Sequence, residues 1–292
     1  MDQIVICKDL TKKYGNNKVI DNLSMEVYKG DIYGLIGVNG AGKTTLLKSI
    51  LSIINVDSGK ISLDAEIINN NNIGSMIDAP AFFGELTAEQ NLEYYRIMFG
   101  RDENISVKAL LEIVGLKTNS KISFKKFSMG MKQRLGIALA IMDNPSLVVL
   151  DEPLNGLDPL GIVEIRELII KLNRERGITF MISSHNLPEL ELTANRFGIM
   201  HKGKIRKDIS SEQLKEICRN GHKIILEKDI DISSFQYEDI LICGNEIICT
   251  GNVLLEEVKN EIERKGFKVK SVVEYELSLE DYFRICIMED EE

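Results

Sequence analysis

The sequence predicts an α/β fold in which a mostly parallel sheet, covered on both faces by helices, carries a phosphate-gripping loop, with a small α/β appendage at the C-terminal end. Three observations carry that expectation. Continuous apolar runs at 32–36, 147–150 and 178–183 alternate with helical patterns, as parallel strands buried on both faces do. Gly37-Val38-Asn39-Gly40-Ala41-Gly42-Lys43-Thr44 lies between the first run and a helical stretch from Thr45 to Leu51. After about residue 220 the pattern changes to short strands and amphipathic helices.

Taken in order, residues 2–36 read as short strands with turns at Tyr14–Asn17 and Lys29–Asp31. A turn is expected at Asp57–Lys60, and Asn69–Asn72 reads as a loop tip between strands 61–63 and 73–77. From Thr87 to Ala140 the pattern is helical, opened by a Thr87 cap and striped by Leu92, Tyr95 and Phe99. A helix at 161–176, a strand at 178–183 and a helix near Leu187-Pro188 follow. In the tail, Gly244-Asn245 between two apolar runs predicts a hairpin. Leu254, Val258 and Ile262 form a stripe ending before Gly266, and Ser278–Asp281 reads as a capping box. The acidic end, Glu289–Glu292, reads as disordered.

Composition narrows the function. A chain of 292 residues with net charge −9 offers no broad positive field for nucleic acid. The five cysteines show no metal-ligand spacing and read as buried, reduced thiols of a cytosolic protein. No secretory leader is visible, and no window approaches the roughly 18 apolar residues of a membrane span. Any role in transport therefore calls for a separate membrane partner.

The glycine-rich loop sits where a buried strand meets a helix N-terminus, so its backbone N–H groups can turn inward around an oligophosphate. Lys43 supplies a point charge toward the outer phosphates, and the Thr44 hydroxyl can ligate Mg²⁺. Asp151, ending the second buried strand, is a further Mg²⁺ ligand, and Glu152 is the candidate general base for an attacking water. His185 ends a third strand aimed at the same sheet edge. His201 and His222 fall near expected turns and read as structural. Ser128, opening Phe127-Ser128-Met129-Gly130-Met131-Lys132-Gln133-Arg134, reads as a helix cap and also as a second anion site.

With these motifs in this order, residues 3–215 resemble the nucleotide-binding subunit of an ATP-binding cassette (ABC) transporter. The resemblance implies a P-loop NTPase core with an antiparallel β subdomain and a helical subdomain at about 79–140. It divides the chain into an ATPase domain, 1–218, and a C-terminal α/β domain, 219–292. It implies that Tyr14 stacks on adenine, that Gly37–Thr45 is the Walker A loop, that Asp151 ends the Walker B strand, and that His185 senses the γ-phosphate. Ser128, Met129, Gly130 and Asp158 then contact ATP held by the other subunit, either a second copy or a paralogue. The implied cofactors are ATP and Mg²⁺. The implied setting is the inner face of the membrane, reached through a separate permease.

Two departures stand out. The family's signature loop usually reads Leu-Ser-Gly-Gly-Gln; here Phe127, Met129 and Met131 replace three of those residues. The family's Mg²⁺-contacting glutamine is replaced by Asp78, and Gln90 is a poor substitute because it falls in an expected helix. An acidic residue before a Pro-aromatic segment resembles bacitracin-type and lantibiotic-immunity exporters, which suggests export of antimicrobial peptides or drugs. The aromatics Phe82, Phe83, Tyr94, Tyr95 and Phe99 are candidates either for permease docking or for internal packing. Two rival functions are a soluble ABC-type ATPase working on ribosomes or DNA, and a weakly hydrolysing nucleotide sensor.

Overall fold

The computed structural model describes residues 2–70, 73–77, 81–101, 106–229 and 239–288. The chain forms two compact units, 1–205 and 206–292.

The first unit begins with two long strands, β1 (Gln3–Tyr14) and β2 (Asn17–Tyr28), where short strands were expected. Asp9 and Asn22 take left-handed φ of 51°, and the pairing register shifts between Cys7 and Leu10. The strands thus bend at bulges instead of breaking. Strand β4 (Ser58–Leu63) joins β1 on its other side, giving the order β2-β1-β4. The turn expected at Asp57–Lys60 is therefore mostly strand, with Lys8 opposite Lys60 and Thr11 opposite Ser58. The expected loop at Asn69–Asn72 is in part a short helix, α2 (Ala65–Asn70), anchored by Ile67, which is 1% exposed. Asn71 and Asn72 lie outside the described residues.

The second sheet is built from β3 (Ile32–Ile36), β5 (Ile73–Met76), β6 (Leu147–Asp151), β7 (Thr179–Ser184) and β8 (Arg196–His201) of this unit and from β9 (Lys204–Ser210), in which the unit boundary falls, in the order β5-β6-β7-β3-β8-β9. The pairs β5–β6, β6–β7, β7–β3 and β3–β8 are all parallel. Helix α1 (Lys43–Ile50) follows β3 directly but for the glycine-rich loop. The core lies where the two sheets and α1 meet, with Val5, Leu10, Ile20, Leu35, Leu46, Leu47, Val149 and Met181 buried together. Each such side chain contributes about 1.5–3 kcal/mol on removal from water.

The helical stretch expected at 87–140 resolves into α3 (Ala88–Met98), α4 (Val107–Ile113) and α5 (Met129–Ala140), with a 3₁₀ turn at Phe124–Lys126. Serines restart it, since Ser106 caps α4 and Ser128 caps α5. Thr87 and Gln90 form a reciprocal capping box on α3. The helix expected at 161–176 is α6 (Pro159–Arg176), and α7 (Leu187–Glu191) follows β7. His201 ends β8 beside the turn at 202–203, and His222 is second in the strand Gly221–Leu226, just after Asn220.

The second unit holds a four-stranded antiparallel sheet of β10 (Gly221–Leu226), β11 (Ile240–Cys243), β12 (Glu246–Cys249) and β13 (Val269–Tyr275), ordered β11-β12-β10-β13. The Gly244-Asn245 hairpin joins β11 to β12. Helix α9 (Leu255–Arg264) packs Val258 and Ile262 on Ile224, Ile242 and Ile247. Leu254, the expected first member of that stripe, is 66% exposed at the helix cap. Ser278 and Asp281 exchange capping bonds at the start of α10 (Leu279–Met288). The acidic end at 289–292 lies outside the described residues.

The unit boundary falls 13 residues before the 218/219 division expected from the motifs (218 − 205). Helix α8 (Ser211–Arg219) is held in the second unit by bonds from the Leu277 N–H to Cys218 O and from the Gly251 N–H to Ile217 O. None of the five cysteines is in a disulfide. Burial pushes the Cys7 and Cys249 thiols up to about 12, so they stay protonated and unreactive. Among the described residues, no helix is long and apolar enough to cross a membrane.

Candidate active site

Sheet order builds the site. Strands β6, β7 and β3 are neighbours and parallel, so their carboxyl ends share one edge. Register brings Asp151 beside Ser183 and Ile36 beside Ser184. The glycine-rich loop therefore emerges one strand away from His185 and two from Asp151.

The loop is shaped by close backbone contacts. A side-chain carbon on Gly42 would lie 2.6 Å from the Val19 carbonyl, and Gly42 holds φ 107°, a conformation L residues rarely take. Gly42 is also the N-cap of α1 and offers no side chain to bond its first N–H groups. Val38, Asn39 and Gly40 form the exposed crest, while Gly37, Ala41 and Gly42 are buried beneath it. A turn on the far side ties this loop to β2: Gly203 donates to the Ala41 carbonyl at 3.1 Å and accepts from the Asp21 N–H at 3.0 Å.

Lys43 is 6% exposed. Its ammonium donates to the Gly37 carbonyl at 2.6 Å and the Val38 carbonyl at 3.4 Å, and lies 3.6 Å from Glu152 Oε1. Thr44 donates to Asp151 Oδ2 at 2.7 Å, and the Ser183 hydroxyl donates to Asp151 Oδ1. Thr45 lies one residue deeper in α1, its carbonyl accepting from the Ser49 hydroxyl at 2.8 Å. Glu152 adopts φ 50°, unusual for a residue with a side chain, and its N–H is held by Ser183 Oγ at 3.0 Å and Ser183 O at 3.2 Å. Strain of this kind persists where the surroundings enforce it. Glu152 Oε2 meets His185 Nδ1 at 2.8 Å. One carboxylate thus touches both the loop lysine and the histidine from the neighbouring strand.

The Thr44 hydroxyl and the Asp151 carboxylate are hard oxygen donors on one spot beside Lys43, a donor set that suits Mg²⁺, which keeps several waters and takes few protein ligands. Asp78, the third residue expected to contact the metal, lies outside the described residues. Gln90 is occupied as a cap, its amide oxygen accepting from the Thr87 N–H at 2.9 Å.

Tyr14 ends β1 with its ring 53% exposed and the Lys12 ammonium 5.4 Å from its centroid. Ser128 accepts from the Met131 N–H at 3.2 Å, and Asp158 caps α6 by accepting from Gly161 at 3.3 Å. Met129 and Gly130 open α5 next to the loop at 156–158. The five aromatics around α3 form one cluster of rings. Phe82 packs on Tyr95 and Phe124, and Phe83, Tyr94 and Phe99 also touch rings of this cluster (Phe83 on Tyr94, Tyr94 and Phe99 on Tyr95) while staying 44%, 41% and 49% exposed.

Ser183 was not singled out by sequence reasoning. It orients Asp151 and holds the backbone of Glu152, and the only local signal was its place in an apolar strand opposite the acidic pair.

The ABC transporter family matches residues 20–155. The chain is 39% identical to the bacitracin transport ATP-binding protein BcrA of Bacillus licheniformis over 97% of both chains. It is 40% identical to the lantibiotic transport ATP-binding protein SrtF of Streptococcus pyogenes, over 76% of this chain and 97% of that protein. Among solved structures, an ATP-binding cassette of an ABC transporter in its ADP conformation superposes with a TM-score of 0.66 at 25% identity, covering 74% of this chain and 95% of the other.

Proposed function

Because this chain belongs to the ABC transporter family as an ATP-binding, ATP-hydrolysing subunit, we propose that two such subunits clasp ATP between them and drive a separate permease that exports bacitracin- or lantibiotic-like peptides. The observation that carries the hydrolytic part is the position of the Glu152 carboxylate, 2.8 Å from His185 and 3.6 Å from Lys43 at the foot of the glycine-rich loop.

The residues divide the work. Tyr14 offers an exposed ring to the adenine base. The backbone of 37–45 and the uncapped start of α1 receive the phosphates, and Lys43 neutralises the outer ones. Glu152 accepts the proton of the attacking water, and His185 holds that carboxylate and faces the γ-phosphate. Thr44 and Asp151, with Asp78 as a further candidate, hold Mg²⁺, which when bound supplies charge neutralisation at the β- and γ-phosphates. Ser128, Met129, Gly130 and Asp158 of the second copy close the site. The exposed face of Phe83, Tyr94 and Phe99 meets the permease, which keeps the subunit on the inner face of the membrane.

The test is Glu152→Gln. Phosphate release is expected to fall by about 10²–10⁴-fold while ATP-dependent dimerisation persists; turnover at the original rate removes Glu152 from the mechanism. In cells, unchanged sensitivity to bacitracin and lantibiotics after gene deletion removes the substrate reading. Permease co-purification that survives Phe83→Ala assigns that ring to packing alone.

A further inference from the structure

Met129 occupies a position where the resembled signature loop carries glycine, so its side chain is an addition to be explained. It opens α5 and is 47% exposed. Its Cε and Cγ lie 3.7 and 3.8 Å from where a side-chain carbon on Gly156 would stand, so the thioether lies across that glycine. Gly156 holds φ 75°, which both explains the absence of a side chain there and leaves the surface that Met129 covers. One residue along each chain, Leu157 Cδ2 is 3.9 Å from the corresponding point on Gly130. A turn farther down α5, Arg134 donates to Glu164 Oε2 at 2.7 Å on α6 and to the Val114 carbonyl at the end of α4.

Met129 and Leu157 thus each stand beside a glycine of the other loop, and the Arg134–Glu164 ion pair joins α5 to α6. Both helices are side-chain capped, by Ser128 and by Asp158. We propose that Met129 is a positioning residue that locks the serine loop to the 156–158 loop within one subunit, so that Ser128 and Asp158 approach the nucleotide of the second copy as one body. Methionine suits the task, because its flexible, polarisable chain fills an irregular gap without demanding a hydrogen bond. Without it the two loops are ordered separately at the moment of pairing, and that ordering subtracts from the affinity for the ATP-bound partner. The inference rests on the proposed pairing of two copies, and it assigns to Met129 a task within its own subunit.

The experiment compares Met129→Ala and Met129→Leu in two backgrounds. In Glu152→Gln, the ATP concentration for half-maximal dimerisation is measured; in the otherwise unsubstituted protein, KM and kcat. Met129→Ala is expected to raise both the dimerisation midpoint and KM by about three- to tenfold, a larger factor than any fall in kcat at saturation, with Tm nearly unchanged. Met129→Leu, which restores the apolar cover over Gly156, is expected to recover most of the loss. A Met129→Ala protein with unaltered midpoint and KM overturns the inference. So does a loss that falls on kcat and Tm together, which marks a merely structural side chain. No ATP-dependent pairing in the Glu152→Gln parent overturns the pairing itself and this inference with it; pairing there with no Met129 effect overturns only this inference.

Discussion

Helices α1 and α5 both begin in the ATPase unit, and they treat their first N–H groups in opposite ways. Helix α5 starts after Ser128, whose hydroxyl accepts the Met131 N–H at 3.2 Å. Helix α1 starts after Gly42, which has no side chain to offer and whose φ of 107° excludes most residues that do. The first turn of any α-helix leaves its N–H groups without intrahelical partners. At α5 a side chain meets part of that demand; at α1 it is left for something outside the chain. What separates a structural helix start from a phosphate-binding one is thus the N-cap residue and the backbone that forces its choice. Ser128 can belong to both categories, because a hydroxyl that accepts with a lone pair still has its own proton to donate.

Two experiments press on this contrast. Gly42→Ser puts the α5 type of cap onto α1, and it is expected to have the larger effect. The left-handed φ alone costs about 1–2 kcal/mol for a residue with a side chain, close to tenfold in an equilibrium, and the Val19 carbonyl 2.6 Å away adds to it. ATP affinity, read by equilibrium binding, is expected to fall at least about tenfold; equal affinity would show that α1 does not need its bare start. The paired substitutions Ser128→Ala and Thr87→Ala separate capping from ligand contact. Each removes a cap and is expected to lower stability by about 1 kcal/mol in denaturant melts. Only Ser128→Ala is expected to slow phosphate release as well. Equal activity in the two variants reduces Ser128 to a cap.

Much of the ATPase unit was legible because its signals are local. The loop at 37–45 announces itself through glycine spacing, β3 and β6 through uninterrupted apolar residues, and α3 through the Thr87 cap. What was not legible depends on pairing across long separations. The order β5-β6-β7-β3-β8-β9 sets which strand ends meet, and no local pattern encodes that Ser183 lies beside Asp151. Asp9 and Asn22 look like strand breakers, yet they sit at bulges in two 12-residue strands held by their cross-strand partners. The run Asn69–Asn72 reads as a loop, but its first two residues end the helix that buries Ile67. The division into compact units likewise depends on distant pairings. Helix α8 follows the last motif in sequence, but Ile217 and Cys218 bond to Gly251 and Leu277.

The Gly203 peptide group holds the Ala41 carbonyl with its N–H and the Asp21 N–H with its carbonyl. Strand β2 begins three residues after Tyr14, so the hairpin presenting that ring is stapled through Gly203 to the cradle for the phosphates. On the proposed roles of Tyr14 and the 37–45 loop, the two ends of a bound nucleotide would therefore meet parts tied to one another through a single peptide group.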